Sequence, residues 1–271
     1  MTDSLRKYLR IMRIALVERL AYRADFFLTT FFRFLPLVTT FLLWEAVYRG
    51  SDQDEIAGFS RDSMIAYLLL VQISRMFSSM PGLGTGIARD IRDGNLKKYL
   101  LQPIDMLWYL LSYRGAHKVA YIATTALPYA ILFFCFRDVF DILPGPWTLL
   151  AYLLSLILSF LIGFFFEAAI GIVGFWFLEV TSLMYIIGIL NYFISGQMFP
   201  LDLLGTRVKF FLDLLPFPYL AYFPAMVFLQ KVEGQELIKG LLVELTWVVI
   251  LIVFTRWLYA RGLRHYSAFG G

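Results

Sequence analysis

Residues Trp147–Phe175 read WTLLAYLLSLILSFLIGFFFEAAIGIVGF and contain no Lys, Arg or Asp and a single Glu, Glu167. A helix needs ~20 mostly apolar residues to cross a hydrocarbon layer ~30 Å thick, and a helix can do so because it satisfies its own backbone polar groups. This stretch therefore decides the fold class: an all-α integral membrane protein. Working outward, five more windows share its character, namely Phe26–Tyr48, Ser63–Leu83 and Lys118–Phe136 before it, and Thr181–Phe199 and Ile238–Ala260 after it. The expectation is six transmembrane helices. Trp147–Phe175 is long for one span, and Gly163, Gly171 and Gly174 predict a tilt or a break within it.

Composition agrees with that reading. The chain is 60% hydrophobic and 16% charged, whereas soluble domains are ~45–50% apolar and ~25% charged. Its 27 Phe, 16 Tyr and 6 Trp suit a lipid-facing body with aromatic belts at the interfaces. Net charge is +4, with the basic residues dispersed among apolar spans, which excludes nucleic acid as a partner. The single cysteine, Cys135, excludes an internal disulfide and a cysteine-based zinc site. Arg6, Lys7, Arg10 and Arg13 interrupt the N-terminal apolar residues, so no cleavable signal peptide is expected.

Two further apolar stretches are read as non-spanning. Tyr99–Tyr113 is too short and holds Pro103 and Asp105. Phe210–Leu229 is broken by Asp213, Pro216, Pro218 and Pro224; an interior proline costs a helix ~3 kcal/mol, so short kinked interfacial helices are expected there. Lys and Arg of the N-terminal segment, of the loop after the second window (Arg89, Arg92, Lys97, Lys98, Arg114) and of the tail (Arg261, Arg264) place both termini in the cytoplasm. Arg33, Arg75 and Arg256 then fall in the cytoplasmic halves of their spans, where they can snorkel to the surface, and Glu45 and Glu244 near the outer ends. Leu5–Leu20 reads as a partly amphipathic interfacial helix, or else as an extension of the first span.

Catalytic motifs are missing from the sequence. There is no G-x-x-x-x-G-K-[ST] phosphate loop. Pro81-Gly-Leu-Gly-Thr-Gly86 reads as a flexible cytoplasmic end of a span, and His117 and His265 stand alone, so no metal site is expected. The two long loops carry more information. The cytoplasmic one mixes Arg89, Asp90, Arg92, Asp93, Lys97 and Lys98 with Ile91, Leu96, Tyr99 and Leu100. That is the make-up of a small docking element in which apolar anchors, here Leu96 and Tyr99, carry the energy and charges set the register.

Gly94, Leu96, Tyr99, Leu100, Leu101 and Pro103 in that loop, with Ser195-Gly-Gln-Met-Phe-Pro-Leu-Asp-Leu-Leu204 in the outer one, are similar to two signatures of permease subunits of the type-2 ABC exporter family. The resemblance is to a bacterial six-span branch and covers essentially the whole chain. It implies an N-terminal elbow helix (1–24), a cytoplasmic coupling loop (84–117), an extracytoplasmic re-entrant region between spans five and six (200–237) and a cytoplasmic tail (261–271). It implies a half-transporter of the bacterial cytoplasmic (inner) membrane, pairing with a second permease chain, identical or paralogous. A separate ABC ATP-binding subunit would bind ATP and Mg, and this chain no cofactor. The coupling residues would be Arg89, Asp90, Ile91, Arg92, Asp93, Gly94, Leu96, Lys97, Tyr99, Leu100 and Pro103. Glu167, Glu179, Asn191, Tyr192, Gln197 and Met198 are the candidates to line a substrate pathway, and Ser195, Gly196, Phe199, Pro200 and Asp202 an outer gate. The first and fifth spans, with Thr29, Thr30, Thr39, Thr40, Gly188, Ser195 and Gly196, would meet across the dimer. The cargo expected is amphiphilic: drug-like, a lipid or a related compound, with aromatic walls and one or two carboxylates leaning towards a cationic one. A secondary transporter or channel is the alternative, and a lipid-modifying transferase a third; the former would need an internal repeat and paired intramembrane charges, the latter an acid/base or metal cluster.

Overall fold

The structure, a computed structural model, describes residues 7, 10–14, 17, 23–51, 53–140, 144–177 and 179–266. Most of the expected elbow helix and the end of the tail lie outside the described residues. Within the former, Lys7 donates to the Pro103 carbonyl at 2.6 Å, so the N-terminal segment touches the loop predicted to couple.

Helix α1 (Arg23–Gly50) contains Pro36, whose carbonyl accepts from the Thr39 and Thr40 hydroxyls at 2.9 and 2.8 Å. A two-residue hairpin follows, β1 (Glu55–Ile56) and β2 (Phe59–Ser60). Its turn residues Ala57 and Gly58 have φ of 51° and 77°, the left-handed pair that a tight hairpin turn demands. Ser60 then caps α2 (Arg61–Ser78) by accepting from the Ser63 amide. The chain breaks at Ser79–Gly82, with Gly82 at φ 74°, and restarts as α3 (Leu83–Arg92). A short turn of helix, α4 (Lys97–Leu100), leads to α5 (Met106–Cys135), and α6 (Pro146–Ile172) continues into a 3-10 turn, Val173–Phe175. Then come α7 (Thr181–Ile194), α8 (Thr206–Asp213), α9 (Tyr222–Phe228) and the long α10 (Gly234–His265).

Among the described residues four helical segments are long and apolar enough to cross a membrane: Arg61–Arg92, Met106–Cys135, Pro146–Phe175 and Gly234–His265. α6 is the hub, packing along α10, α3, α2 and α9. Its glycines do not break it. A methyl group at Gly163 would lie 1.9 Å from the Ser78 carbonyl oxygen, one at Gly171 2.6 Å from that of Gly84, and one at Gly174 3.1 Å from Ala88 Cα. The glycines let α2 and α3 approach α6 backbone to backbone, the role small residues play where helices meet in lipid. For the same reason Pro81–Gly86 is no flexible end: Gly84 is buried against Met184 and the Glu167 carbonyl.

Two expected boundaries also move. α5 starts at Met106 rather than Lys118, because the Asp105 carboxylate caps it, accepting from the Trp108 amide at 2.9 Å, and pairs with Arg256 of α10. Arg256, expected only to snorkel, is engaged there. α7 stops at Ile194 rather than Phe199. Gly196 turns the chain at φ 79°, its carbonyl accepts from the Tyr67 hydroxyl at 2.6 Å, and the Ser195 carbonyl accepts from the Tyr222 amide at 3.1 Å. At 1.5 Å per residue this 14-residue helix spans only ~21 Å.

The region after α7 forms the short helices that its prolines predict. α8 leaves Phe210 and Phe211 exposed, while α9 is buried against α2 and α6. Asp202 ties the region together by accepting from Lys209 at 2.5 Å and the Tyr222 hydroxyl at 2.8 Å. On α10, Glu244 is fully buried, and neither carboxyl oxygen has a hydrogen-bond partner among the described residues.

Candidate functional site

Between α1, α2, α5, α6 and α7 lies a cavity of about 530 Å³. α2 supplies Leu68, Gln72, Arg75 and Ser79, one helical face at three- and four-residue spacing. Thr40, Tyr121, Glu167, Tyr192 and Gln197 complete the polar lining. Three of the residues singled out in the sequence, Glu167, Tyr192 and Gln197, are thus brought together. Gln197 donates to the Ser195 hydroxyl at 2.7 Å, which turns its amide towards α7. The others are elsewhere. Asn191 has its side-chain oxygen buried off the lining, Met198 offers its carbonyl to the Trp44 indole at 3.0 Å, and Glu179 is exposed on the linker before α7. There Glu179 caps α7, accepting from the Thr181 amide at 2.7 Å, and the bonds from Thr181 hold its carboxyl below the usual range.

Arg75 and Gln72 were not among the expected pathway residues. The recognisable signal was the polar face 72/75/79 on an otherwise apolar helix.

One end of the cavity is a knot built around the α2–α3 break. A chain that leaves a helix exposes carbonyls and one that enters a helix exposes amides, and in a membrane both need partners. The carbonyls are met by cations of α5: Lys118 donates to those of Met76 and Ser79, and Arg114 to that of Pro81 at 3.0 Å. Glu167 of α6 stands at the same break: its side chain lines the cavity beside Met80 and Pro81, and its carbonyl lies against Gly84. Glu167 therefore sits at the N-terminus of α3, where the helix dipole favours an anion. It faces the cavity and the start of the helix at once.

From this knot α3 runs to the loop predicted to couple. Ile91 is buried, Leu96 has no exposed surface and Tyr99 is 8% exposed. Leu96 and Tyr99 are thus internal packing residues and not available as docking anchors: Tyr99 turns inward against Tyr109, ring centroids 5.5 Å apart. The exposed apolar residues are Leu100, at 48%, and Leu101, at 83%, with Pro103 beside them. The same loop carries Arg89, Arg92, Asp93 and Lys97, all exposed, and Gly94 at φ 70°; Arg89 and Arg92 stand with Glu179 and Thr181. Lys98 bonds Asp90 at 2.7 Å; burial pushes its ammonium down, and Asp90 and Tyr99 together more than offset this, leaving it above its ordinary value.

Ser195 and Gly196 are buried, Gly196 against Tyr67 and Tyr222, so neither is presented to another chain. Phe199 and Pro200 lead from them into the turn at Leu201–Leu204 that carries Asp202. α7 has no buried residue and opens Leu183, Ile186, Ile189, Leu190 and Phe193 outward.

Four helices long and apolar enough to cross a membrane, with a cavity among the helices that polar side chains help to line, are the frame of a multi-pass membrane protein. The family model for ABC-2 family transporter proteins matches residues 34–270. The chain belongs to that family, as the transmembrane subunit of an ABC transporter. No curated protein and no solved structure matches it.

Proposed function

We propose that the chain is the permease half of an ATP-driven exporter of the bacterial inner membrane, and that it moves an amphiphilic compound through the cavity next to α2. It has six spans with both termini cytoplasmic, α1 and α7 serving as the first and fifth and the region 200–237 re-entering from outside. Two copies, or this chain and a paralogue, close the pathway, and an ABC ATP-binding subunit docks on the loop between α3 and α5.

The observation that carries this reading is α3 itself. At one end it lies against Glu167 on the cavity wall, and along its length it packs against Gly171 of α6 and Gly174 of the 3-10 turn that follows. At the other end it delivers Leu100 and Leu101. A push on the loop therefore moves α3 and α6 as one body, and the wall of the cavity with them. Nothing in this arrangement favours a channel or secondary transporter.

The test is co-purification from native membranes of the chain with its ATP-binding subunit. Leu100→Ser with Leu101→Ser should release the ATPase, since exposed apolar anchors at an interface are worth ~2–4 kcal/mol, and should leave the melting temperature of the permease unchanged. Full recovery of the ATPase by that variant, with export intact, would remove the loop from the mechanism.

A further inference from the structure

Beside the cavity lies a second, apolar space of about 80 Å³ between α1, α2 and α5, lined by Val38, Phe41, Ile65, Leu69, Leu132 and Phe136, and Leu37 and Leu68 form walls of both. Along α2 the order is apolar at Ile65–Leu69, then Gln72, Arg75 and Ser79. At 1.5 Å per residue, Ile65 to Arg75 covers ~15 Å. Adjoining polar and apolar compartments in line suit a compound with one head and one tail.

The sign of the head follows from the charges. Arg75 and Glu167 face the cavity, and a niche behind Ser79–Pro81 adds Arg114 and Lys118. Three cations thus stand against one carboxylate. That carboxylate stands at the N-terminus of α3, whose dipole offsets part of its charge. Arg114 and Lys118 are committed to backbone carbonyls, but their charge still raises the local potential. Arg75 spends one N–H on the Ser78 hydroxyl at 3.3 Å, and a guanidinium has five. Its planar fork suits a phosphate or carboxylate, and in a site of low dielectric such a bond is strong.

We infer that the cavity selects an amphiphile with an anionic head group, the head held by Arg75 and Gln72 and the tail lying in the apolar space beside Leu68. This rests on the cavity being the pathway, as proposed above, and adds the class of cargo.

The probes are dodecyl phosphate, dodecyltrimethylammonium and inorganic phosphate, titrated below micelle formation against the full-length chain in phosphatidylcholine nanodiscs. Dodecyl phosphate should bind at least tenfold more tightly than dodecyltrimethylammonium, and inorganic phosphate should show no saturable binding, because it lacks the tail. In Arg75→Gln the difference between the two amphiphiles should shrink to within about twofold. Leu68→Trp, which adds bulk at a wall common to the two spaces, should weaken dodecyl phosphate several-fold; it and the wild-type comparison decide the matter if Arg75→Gln does not fold. Preference for the ammonium, equal binding of both, or inorganic phosphate binding as tightly as dodecyl phosphate would each overturn the inference while leaving the cavity a binding site. Binding of none of the probes, with the ATPase still co-purifying, would overturn it and the cavity together and leave the exporter assignment standing.

Discussion

Gly171→Ala separates the two ways in which a glycine can serve a membrane helix. A methyl group there would sit 2.6 Å from the Gly84 carbonyl oxygen, 2.8 Å from Gly84 Cα and 3.0 Å from Ile87 Cβ. Ordinary contact begins at 3.4 Å, so α3 would have to retreat from α6 by the difference, about 0.8 Å. The neighbours are mostly backbone and cannot swing aside. Overpacking of this kind costs ~1–3 kcal/mol, offset in part by the ~1 kcal/mol that alanine gains over glycine inside a helix. The net loss expected is about 0–2 kcal/mol, a fall of up to ~6 °C in melting temperature at this chain length. The matched control is Gly86→Ala on α3, where an added methyl meets nothing within 4 Å; it should melt unchanged or slightly higher. Both variants are read by thermal melting of the purified chain in the same detergent, which ranks them even where unfolding is irreversible. If Gly171→Ala melts with or above Gly86→Ala, the glycines are hinges after all and the rigid α3–α6 unit is wrong.

Leu96→Ala should lower the melting temperature of the isolated permease, because a fully buried leucine is lost at ~2–5 kcal/mol; an unchanged melt with loss of the ATPase would restore Leu96 as a docking anchor. Asp105→Ala should remove the α5 cap, at ~1 kcal/mol, and also strand Arg256, so that a double-mutant cycle with Arg256→Gln gives a clear coupling; additive effects would show the pair to be idle. At the linker before α7, Thr181 holds the Glu179 carboxyl below its ordinary value of 4.5. A depressed carboxylate contributes stability that is complete above that ordinary value and is lost as pH falls through the lower, folded-state one. Hydrogen exchange at the Thr181 amide, corrected for its intrinsic rate, should therefore accelerate at acid pH in the wild type and show no such dependence in Glu179→Gln.

Much of the fold was legible because hydrocarbon is a strict solvent. Apolar runs long enough to cross it are few, and the long helices α2, α5, α6 and α10 all fall on windows chosen by that criterion. What was not legible were ends and partners. Lys118 looked like the edge of a span because a lysine belongs in water, yet three acceptors at the α2–α3 break satisfy Lys118 and Arg114 and let the helix run back to Asp105. Thr181–Phe199 looked like one helix throughout, but it stops at Ile194, and Gly196 turns the chain with its carbonyl accepting from Tyr67, a residue 129 positions earlier. The three glycines of α6 looked like weakness when each was the mark of a neighbour's backbone. In every case the deciding atom belongs to a different helix, which no local pattern contains.

The same limit explains the coupling loop, and there the structure supplies a criterion that composition lacks. Apolarity says that Leu96, Tyr99, Leu100 and Leu101 leave water; it does not say whether they leave it for this chain, for lipid or for another protein. On α5 and α7 an exposed apolar side chain needs no explanation, since lipid covers it. Leu100 and Leu101 cannot be accounted for in that way. They stand among Lys97, Lys98 and Asp93, after a helix stopped short and just before the capped start of α5, in a stretch too polar for hydrocarbon. Leu96 and Tyr99 have already found their cover inside the chain. On the docking hypothesis the pair left bare in a charged surround is the pair that meets another protein, and the hypothesis stands or falls on those two residues rather than on the two the sequence first suggested.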